Sequence, residues 1–246
     1  MITIEGALIK QTIKALRAHS FDARFAPNRE SARKIILDLV PLGASIGVGD
    51  SVTLRQIQVI PELEARGHKI VNPFKSSILP QKGDIYSRES LLRRSLGKDI
   101  YLTGANAVTK DGKVVSVDGA GNRVAGMIFG AHKVIIALGQ NKVVEDIEDA
   151  FCRIRKVIAP AHAKNRGFHT PCVRKGECVD CLHKNRICNV LGILQAKPMY
   201  ADVSVVLIGE DLGLGWDPNW PLERIEMIWQ AYVKDSWKPE MDLKKL

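Results

Sequence analysis

Helical and strand-like patterns of apolar residues alternate along almost the whole chain. Near the start, Leu8, Ile9, Ile13 and Leu16 recur at helical spacing and predict an amphipathic helix over residues 4–19. Short apolar runs such as ASIGVG, KVIIALG and DVSVVLIG are separated by stretches of helix length. Short buried strands that alternate with helices are typical of a mainly parallel sheet flanked by helices. The pattern therefore predicts one α/β domain over residues 1–246.

Turn and breaker residues within this pattern give more local predictions. Asp111 and Gly112 lie between two apolar runs in AVTKDGKVVSVDG and predict the tight turn of a hairpin. The helical run VVEDIEDAFCRIRKVIAP is predicted to stop at Pro160. Cys152 lies in the same run and is interpreted as a core thiol. SRESLLRRSL predicts a further capped helix.

The C-terminal tail, residues 216–246, differs in composition from the rest. It contains all four tryptophans of the chain, namely Trp216, Trp220, Trp229 and Trp237. Apolar side chains within it recur at helical spacing and predict an amphipathic helix. We favour a tail that docks on its own domain. The alternative is a homo-oligomer interface, because large aromatic residues are enriched at contact hot spots.

The formal net charge of +9 is concentrated in one segment. Residues 151–189 contain nine basic and two acidic residues, so this segment carries +7 of the total. A basic patch attracts anions such as phosphates, carboxylates, nucleic acid or a negatively charged metal cluster, although a solvated surface loop would show the same charge. Beyond Phe151 the segment contains one aromatic residue, Phe168, so a base-stacking surface is poorly supported and nucleic acid is not an expected partner.

The sequence shows no feature of membrane insertion or secretion. No run of about 18 apolar residues occurs, and the N-terminus lacks the basic start and apolar stretch of a signal peptide. We therefore expect a cytoplasmic protein. In that compartment thiols stay reduced, and clustered cysteines bind metals more often than they form disulfides.

Four of the five cysteines lie in the segment HTPCVRKGECVDCLHKNRICN, residues 169–189, which we call the Cys-rich loop. They are Cys172, Cys178, Cys181 and Cys188. Four thiolates match the ligand count of tetrahedral zinc and of an iron–sulfur cluster. The loop contains neither two Cys-x-x-Cys knuckles nor the bacterial ferredoxin spacing. An iron–sulfur cluster, a zinc ion and free thiols all stay open.

Small and polar residues follow several of the predicted strands. In SIGVGDSVTLRQI, glycines close a strand and a helix begins near Ser51, so free backbone N–H groups would point at a ligand there. In open α/β sheets, ligands bind beyond the carboxyl ends of the strands. A glycine needed only for the turn, and Asn122 as a simple helix cap, are the plainer alternatives. The predicted ligand-binding residues are Gly47, Gly49, Asp50, Ser51, Thr53, Thr103, Gly104, Asn106, Asn122 and Arg123.

Several of these segments, in this order, resemble the lactate-utilization (LUD) domain family. The resemblance covers roughly residues 40–215 and is carried by GVGDSVTLRQI, TGANAVTKDGKVVSVDGAGNRVAGMIFG, VIIALGQNKVVEDIEDAFCRIRKVIAPAHAKN, CVDCLHKNRICN and VLIGEDLGLGW. It implies a sheet of the sugar-phosphate isomerase/CoA-transferase type. In relatives of that fold the glycine-rich strand end, matched here by Gly47, Gly49, Ser51 and Thr53, binds phosphate or a CoA-type anion.

The resemblance also implies a function. The chain would be a subunit or accessory of a system that oxidises L-lactate to pyruvate, and it would work with sister iron–sulfur subunits. No flavin or nicotinamide fingerprint supports a lactate dehydrogenase activity of the chain by itself. The alternative is a stand-alone enzyme that acts on a phosphorylated or CoA-linked metabolite.

Overall fold

The computed structural model describes residues 4–75 and 88–237. Within these ranges ten strands form two sheets. In chain order the strands are β1 (Asp22–Ala26), β2 (Ile46–Val48), β3 (Ile70–Val71), β4 (Ile100–Thr103), β5 (Ala107–Thr109), β6 (Val114–Asp118), β7 (Lys133–Gly139), β8 (Val143–Val144), β9 (Val190–Leu194) and β10 (Asp202–Ile208). The helices are α1 (Ile4–Ala18), α2 (Arg29–Leu39), α3 (Val52–Gln56), α4 (Val59–Ala65), α5 (Arg88–Leu96), α6 (Asn122–Ile128), α7 (Ile147–Arg153), α8 (Ala159–Asn165), α9 (Pro171–Lys175) and α10 (Leu222–Asp235).

The larger sheet has six strands in the order β1-β10-β7-β4-β2-β3, and every neighbouring pair is parallel. Its central strands β7 and β10 are buried along almost their whole length, as expected of apolar strands covered on both faces. The prediction of a mainly parallel sheet flanked by helices is confirmed. The finer assignment to the sugar-phosphate isomerase/CoA-transferase type stays a prediction.

Successive residues of β7 face two different apolar cores, because side chains alternate across a strand. Ile136 packs in the core that contains Leu16 of α1. Ile135 packs in the core that contains Ile36 of α2 and Leu63 of α4. The larger sheet is therefore covered by helices on both faces. A ligand can reach it at the edge where its strands end.

The smaller sheet has four strands in the order β8-β5-β6-β9. Strands β5 and β6 form the predicted hairpin, with Val108 opposite Val114. Gly112 adopts φ +91° in its turn, a conformation that suits glycine. The hairpin prediction is confirmed, whereas the division of the strands into two sheets was not predicted.

Two local predictions on the helix that begins with α7 are wrong. The helix does not stop at Pro160: a π-helical turn, Ile154–Ile158, joins α7 to α8, and Pro160 is the second residue of α8. A proline lacks an N–H and crowds the preceding turn, and a widened turn accommodates both effects. Cys152 is exposed and is not a core thiol, because it lies on the outer face of α7.

The C-terminal tail docks on its own domain as far as residue 237. The side chains of Tyr232 in α10 and of Trp237 are buried, at 2% and 7% exposure. The ring of Trp237 meets the ring of Phe74 edge to face, with centroids 5.7 Å apart. The favoured interpretation of the tail is confirmed for this part, and the homo-oligomer interface stays a prediction. Residues 238–246 of the tail, and Ser87 before α5, lie outside the described residues.

Within the described ranges, no helix has the length and apolar character needed to cross a bilayer.

Candidate functional site

A cavity of about 410 Å³ lies at the carboxyl ends of the parallel strands of the larger sheet. Asp50 and Ser51 follow β2, residues 104–106 follow β4, and Lys142 follows β7. Gly213 and Leu214, from the segment after β10, complete this side of the cavity. Parallel strands end at the same edge of a sheet, so residues distant in sequence converge there.

The other walls of the cavity come from outside the larger sheet. The end of β6 and the start of α6 contribute residues 117–120, Asn122 and Arg123. Helix α8 and the residue after it contribute His162 and Arg166. Residues 185–187 of the Cys-rich loop also line the cavity. Aromatic side chains form a further part of the lining, namely Phe74, Phe168, Tyr232 and Trp237.

The cavity is cationic. Its lining contains five cationic side chains, Arg88, Arg123, Lys142, Arg166 and Arg186. It contains two carboxylates, Asp50 and Asp118, so the excess is three positive charges when Lys142 is protonated and two when it is neutral. Charge of one sign in a cleft with low-dielectric walls raises the local concentration of counter-ions.

Asp50 is held between two guanidinium groups. Its carboxylate accepts a hydrogen bond from Arg55 Nη2 at 2.8 Å and another from Arg166 Nη2. Burial alone would raise the pKa of Asp50, but the charges of Arg166 and Arg55 outweigh it and hold the pKa well below its ordinary 3.8. Asp50 therefore stays ionised and fixes Arg166, whose side chain is 4% exposed.

Arg166 has hydrogen-bonding capacity left over. Its Nε and Nη1 atoms are buried and form no hydrogen bond with any residue that the structure describes. A buried donor without an acceptor costs about 1–3 kcal/mol. The guanidinium packs over the ring of Trp237, 4.8 Å from its centroid, and these two atoms are closed off from the cavity. Arg166 therefore acts on a ligand in the cavity through its charge.

Lys142 is a buried amine at the inner end of the cavity. Its side-chain nitrogen Nζ donates to the backbone oxygen of Ala105 at 3.0 Å and to Thr53 Oγ1 at 3.3 Å. Both partners are neutral. Burial, followed by the nearby charge of Arg123, lowers the pKa of Lys142 to about 7. Near neutral pH the side chain is therefore an amine as often as an ammonium.

Arg123 is fixed by neutral oxygens as well. Its Nη2 donates to Asn106 Oδ1 at 2.8 Å and to the backbone oxygen of Val117 at 2.7 Å. Its backbone N–H donates to Asp118 Oδ2 at 2.8 Å. Asp118 therefore accepts a hydrogen bond from a free backbone N–H group in the first turn of α6, and Asn122 does not cap this helix. No carboxylate within the described ranges forms an ion pair with the guanidinium of Arg123.

His162 and Tyr232 form a neutral pair on the α8 side of the cavity. His162 Nδ1 lies 2.5 Å from the hydroxyl oxygen of Tyr232. Burial and the charge of Arg166 lower the pKa of His162 to about 4. Burial raises the pKa of Tyr232 to about 12. At neutral pH neither group carries a charge, so the pair adds hydrogen-bonding capacity without changing the charge of the cavity.

The structure brings six of the ten predicted ligand residues to the cavity. They are Asp50, Ser51, Gly104, Asn106, Asn122 and Arg123. Gly47, Gly49, Thr53 and Thr103 are not part of its lining. Gly47 is inside β2, where a Cβ atom would meet the backbone oxygen of Ser95. Thr103 is fully buried, and Thr53 reaches the site only through its contact with Lys142.

Sequence reasoning missed Lys142, His162 and Arg166. Lys142 comes shortly after the apolar run KVIIALG. Asp50 and Asn106 were predicted because they follow strands, and the same criterion applies to Lys142. His162 and Arg166 are four residues apart, which places them on one helical face. Both belong to the basic segment, but the burial of Arg166 depends on its contact with Asp50, a residue 116 positions away.

The Cys-rich loop lies between α8 and β9 and adjoins the cavity through Arg186. Arg186 Nη1 donates to the backbone oxygen of Cys181 at 2.7 Å, and Nη2 lies 3.5 Å from Cys188 Sγ. The backbone N–H of Asp180 donates to Cys178 Sγ at 3.4 Å. Within the described part of the chain, no group of three or more His, Cys, Asp or Glu side chains is placed to hold a metal ion. The four sulfurs as placed are not a ligand set, and the metal centre stays a prediction.

The metal prediction can be checked on the full chain purified without oxygen. Iron or zinc in a fixed ratio to the protein is expected, and the double variant C178S/C181S should lose it. C152S is the matched control, because Cys152 is exposed and outside the loop. A wild-type chain that contains neither metal would contradict the prediction, as would unchanged metal content in the double variant.

The fold and the site together define an α/β protein with a cationic cavity at the carboxyl edge of a mainly parallel sheet. The chain belongs to the LUD domain family, whose model matches residues 9–208, and it is therefore a protein of the lactate-utilization type. The family resemblance seen in the sequence is confirmed. A crystal structure of a DUF162 family protein from Deinococcus radiodurans aligns with 84% of this chain and 99% of that chain, at 12% identity and a TM-score of 0.49. No curated protein matches the chain.

Proposed function

We propose that this chain binds a small organic anion in the cavity and serves as a subunit of a lactate-oxidising electron-transfer system. The observation that carries the proposal is the pair Arg123 and Lys142. Both line the cavity, and the side-chain partners of both among the described residues are neutral oxygens. A guanidinium without a counter-ion, beside an amine that is protonated about half the time near pH 7, favours a bound carboxylate or phosphate.

The expected gain from such a ligand is substantial. A hydrogen bond to a charged group contributes about 1.5–3 kcal/mol. The guanidinium of Arg123 could provide one, and the charge of Arg166 would add attraction, in a site partly shielded from water. Asp50 opposes anion binding little, because its charge is balanced by Arg55 and Arg166.

Within the proposed system this chain would bind the organic acid and its partners would carry the electrons. Family membership supports work alongside other lactate-utilization subunits. The sequence has no flavin or nicotinamide fingerprint, so sister iron–sulfur subunits are the proposed electron carriers. The isolated chain is then expected to bind an acid without oxidising it.

A second candidate is a stand-alone enzyme that acts on a phosphorylated or CoA-linked metabolite. The size of the cavity favours it, since about 410 Å³ falls in the range of pockets that enclose drug-sized ligands. Lactate is much smaller than such a ligand. The aromatic side chains Phe74, Phe168 and Trp237 could contact the apolar part of a larger molecule. Turnover of such a substrate by the isolated chain would favour this candidate.

Anion binding can be measured by titration calorimetry with L-lactate, pyruvate, inorganic phosphate and coenzyme A. We expect at least one of them to bind, and R123Q to weaken its binding roughly 10- to 150-fold through loss of a charged hydrogen bond. R24Q is the matched control, because Arg24 pairs with Asp22 on an exposed edge strand. R24Q should melt close to the wild-type temperature, and R123Q somewhat below it, because Arg123 loses its hydrogen bonds to Asn106 and Val117. If none of the four anions binds, or if R123Q binds as tightly as wild type, the proposal fails.

A further inference from the structure

We propose that Lys142 is a nucleophile in this cavity, and that its amine condenses with the carbonyl group of a 2-oxo acid to form an imine. This inference rests on the proposed function, because the same cationic cavity would hold the carboxylate of the acid. It goes further by assigning a covalent step to a residue and by naming a substrate class.

The first support is the position of the amine. Lys142 ends the short 3-10 turn that follows β7, its exposure is 6%, and it lines the cavity. Within the described ranges no carboxylate forms an ion pair with it. Its Nζ lies so close to Gly213 that a Cβ atom there would be 2.7 Å away. The amine is therefore held in one place, between a packed backbone and the open cavity.

The second support is the nature of the neighbours. A buried lysine is normally paired with an acid, since burying an isolated ammonium is costly. Lys142 instead has two neutral oxygen partners and a cation nearby. Desolvation and a neighbouring positive charge are the two factors that make a lysine amine nucleophilic in enzymes. The lowered pKa, about 7, agrees with this geometry.

The third support identifies the electrophile. Lys142 Nζ bonds to the backbone of Ala105, and the guanidinium of Arg123 bonds to the side chain of the next residue, Asn106. Arg123 lies close enough for its charge to lower the pKa of Lys142, so an acid whose carboxylate binds Arg123 would place its adjacent carbon near the amine. In a 2-oxo acid that adjacent carbon is a carbonyl carbon. L-lactate has a hydroxyl group there and offers the amine nothing to attack.

The step needs no further reactant. The lone pair of the neutral amine attacks the carbonyl carbon, the two hydrogens of the amine pass to the carbonyl oxygen, and that oxygen leaves as water. A carbon–nitrogen double bond replaces the carbon–oxygen double bond, and nothing is oxidised or reduced. The aromatic part of the lining leaves room for a substituent larger than the methyl group of pyruvate.

Borohydride trapping on the full chain tests the inference. The chain is incubated with pyruvate or with phenylpyruvate, reduced with sodium borohydride, and examined by intact mass and peptide mapping. We expect one adduct per chain, on Lys142, with the mass of the acid less one oxygen atom. Its yield should rise through about pH 7 and level off about one pH unit higher, where the amine is mostly neutral. L-lactate should give no adduct.

Two variants remove the nucleophile in different ways. K142R keeps a positively charged side chain, and K142M keeps a side chain of similar length. Neither variant should form the borohydride-trapped adduct at this position. K113R is the matched control and should be trapped like wild type, because Lys113 is paired with Asp111 away from the cavity lining. The wild-type result stands even if one variant folds poorly.

The outcomes separate this inference from the proposed function. Wild-type chain that yields no adduct on Lys142 with either acid, or adducts spread over exposed lysines, overturns the inference. If the acids still bind by calorimetry in that case, the proposed anion site stands and only the imine is excluded. If neither acid nor any of the other anions binds, the proposed function fails as well.

Discussion

The variant G47A is expected to lower the free energy of unfolding by about 3 kcal/mol, the upper part of the range for overpacked sites. A Cβ atom on Gly47 would lie 1.8 Å from the backbone oxygen of Ser95 and 2.7 Å from its carbonyl carbon. Neither atom is the end of a flexible side chain. Strand β2 and the last turn of α5 would have to separate, and the core around Ile46 would open.

Urea unfolding of G47A and G97A measures this effect with a matched control. Gly97 follows the same helix and adopts no left-handed φ, and a Cβ atom there would have no other atom within 4 Å. G97A should therefore change the free energy of unfolding by about 1 kcal/mol at most. Wild-type stability in G47A would contradict the steric argument. A loss of anion binding without a loss of stability would instead support Gly47 as a ligand residue.

The variant D50N is expected to lower the free energy of unfolding by about 3 kcal/mol. Removing one partner of a buried ion pair leaves the other charge uncompensated, at a cost of about 3–5 kcal/mol. We expect the low end, because the Asp50 side chain is 25% exposed toward the cavity. Arg166, at 4% exposure, would be left as a buried guanidinium without its carboxylate.

The pH dependence of this difference follows from the lowered pKa of Asp50. A carboxyl whose pKa is lower in the folded state stabilises the protein fully above its ordinary pKa of 3.8, and less as the pH falls toward the folded-state value. The gap between wild type and D50N should therefore be largest near pH 7 and shrink below about pH 4. E89Q is the control, since the exposed pair of Glu89 and Arg93 contributes little. An equal gap at pH 7 and pH 3 would count against the ion pair as its cause.

The sequence predicted the parts of the fold that depend on neighbouring residues. Apolar periodicity gave α1, the buried strands β7 and β10, and the hairpin of β5 and β6. Strand β1, with the sequence DARFA, was missed because it lies at the edge of the sheet and carries charged residues. The separation into two sheets depends on which distant strands pair. Local sequence patterns do not determine that pairing.

The residues of the candidate site also fall into those that the sequence predicts and those that depend on tertiary contacts. Asp50, Ser51, Gly104 and Asn106 were predictable, since a small or polar residue after a buried strand indicates the edge where ligands bind. Gly47 was assigned to the same site, but its lack of a side chain serves the contact with Ser95. That contact joins residues 48 positions apart in the chain. The positions of the sulfur atoms in the Cys-rich loop also depend on tertiary packing. The cysteine spacing in the sequence predicts only the number of available ligands.

The π-helical turn at Ile154–Ile158 sets the direction in which α8 presents its side chains. Such a turn accommodates one more residue than an α-helical turn, and each residue advances an α-helix by about 100° around its axis. With uniform pitch from α7 onward, His162 and Arg166 would be rotated by roughly that angle relative to the sheet. Arg166 would then face away from Asp50. One additional residue within a helix thus determines whether this wall of the cavity carries the positive charge of Arg166.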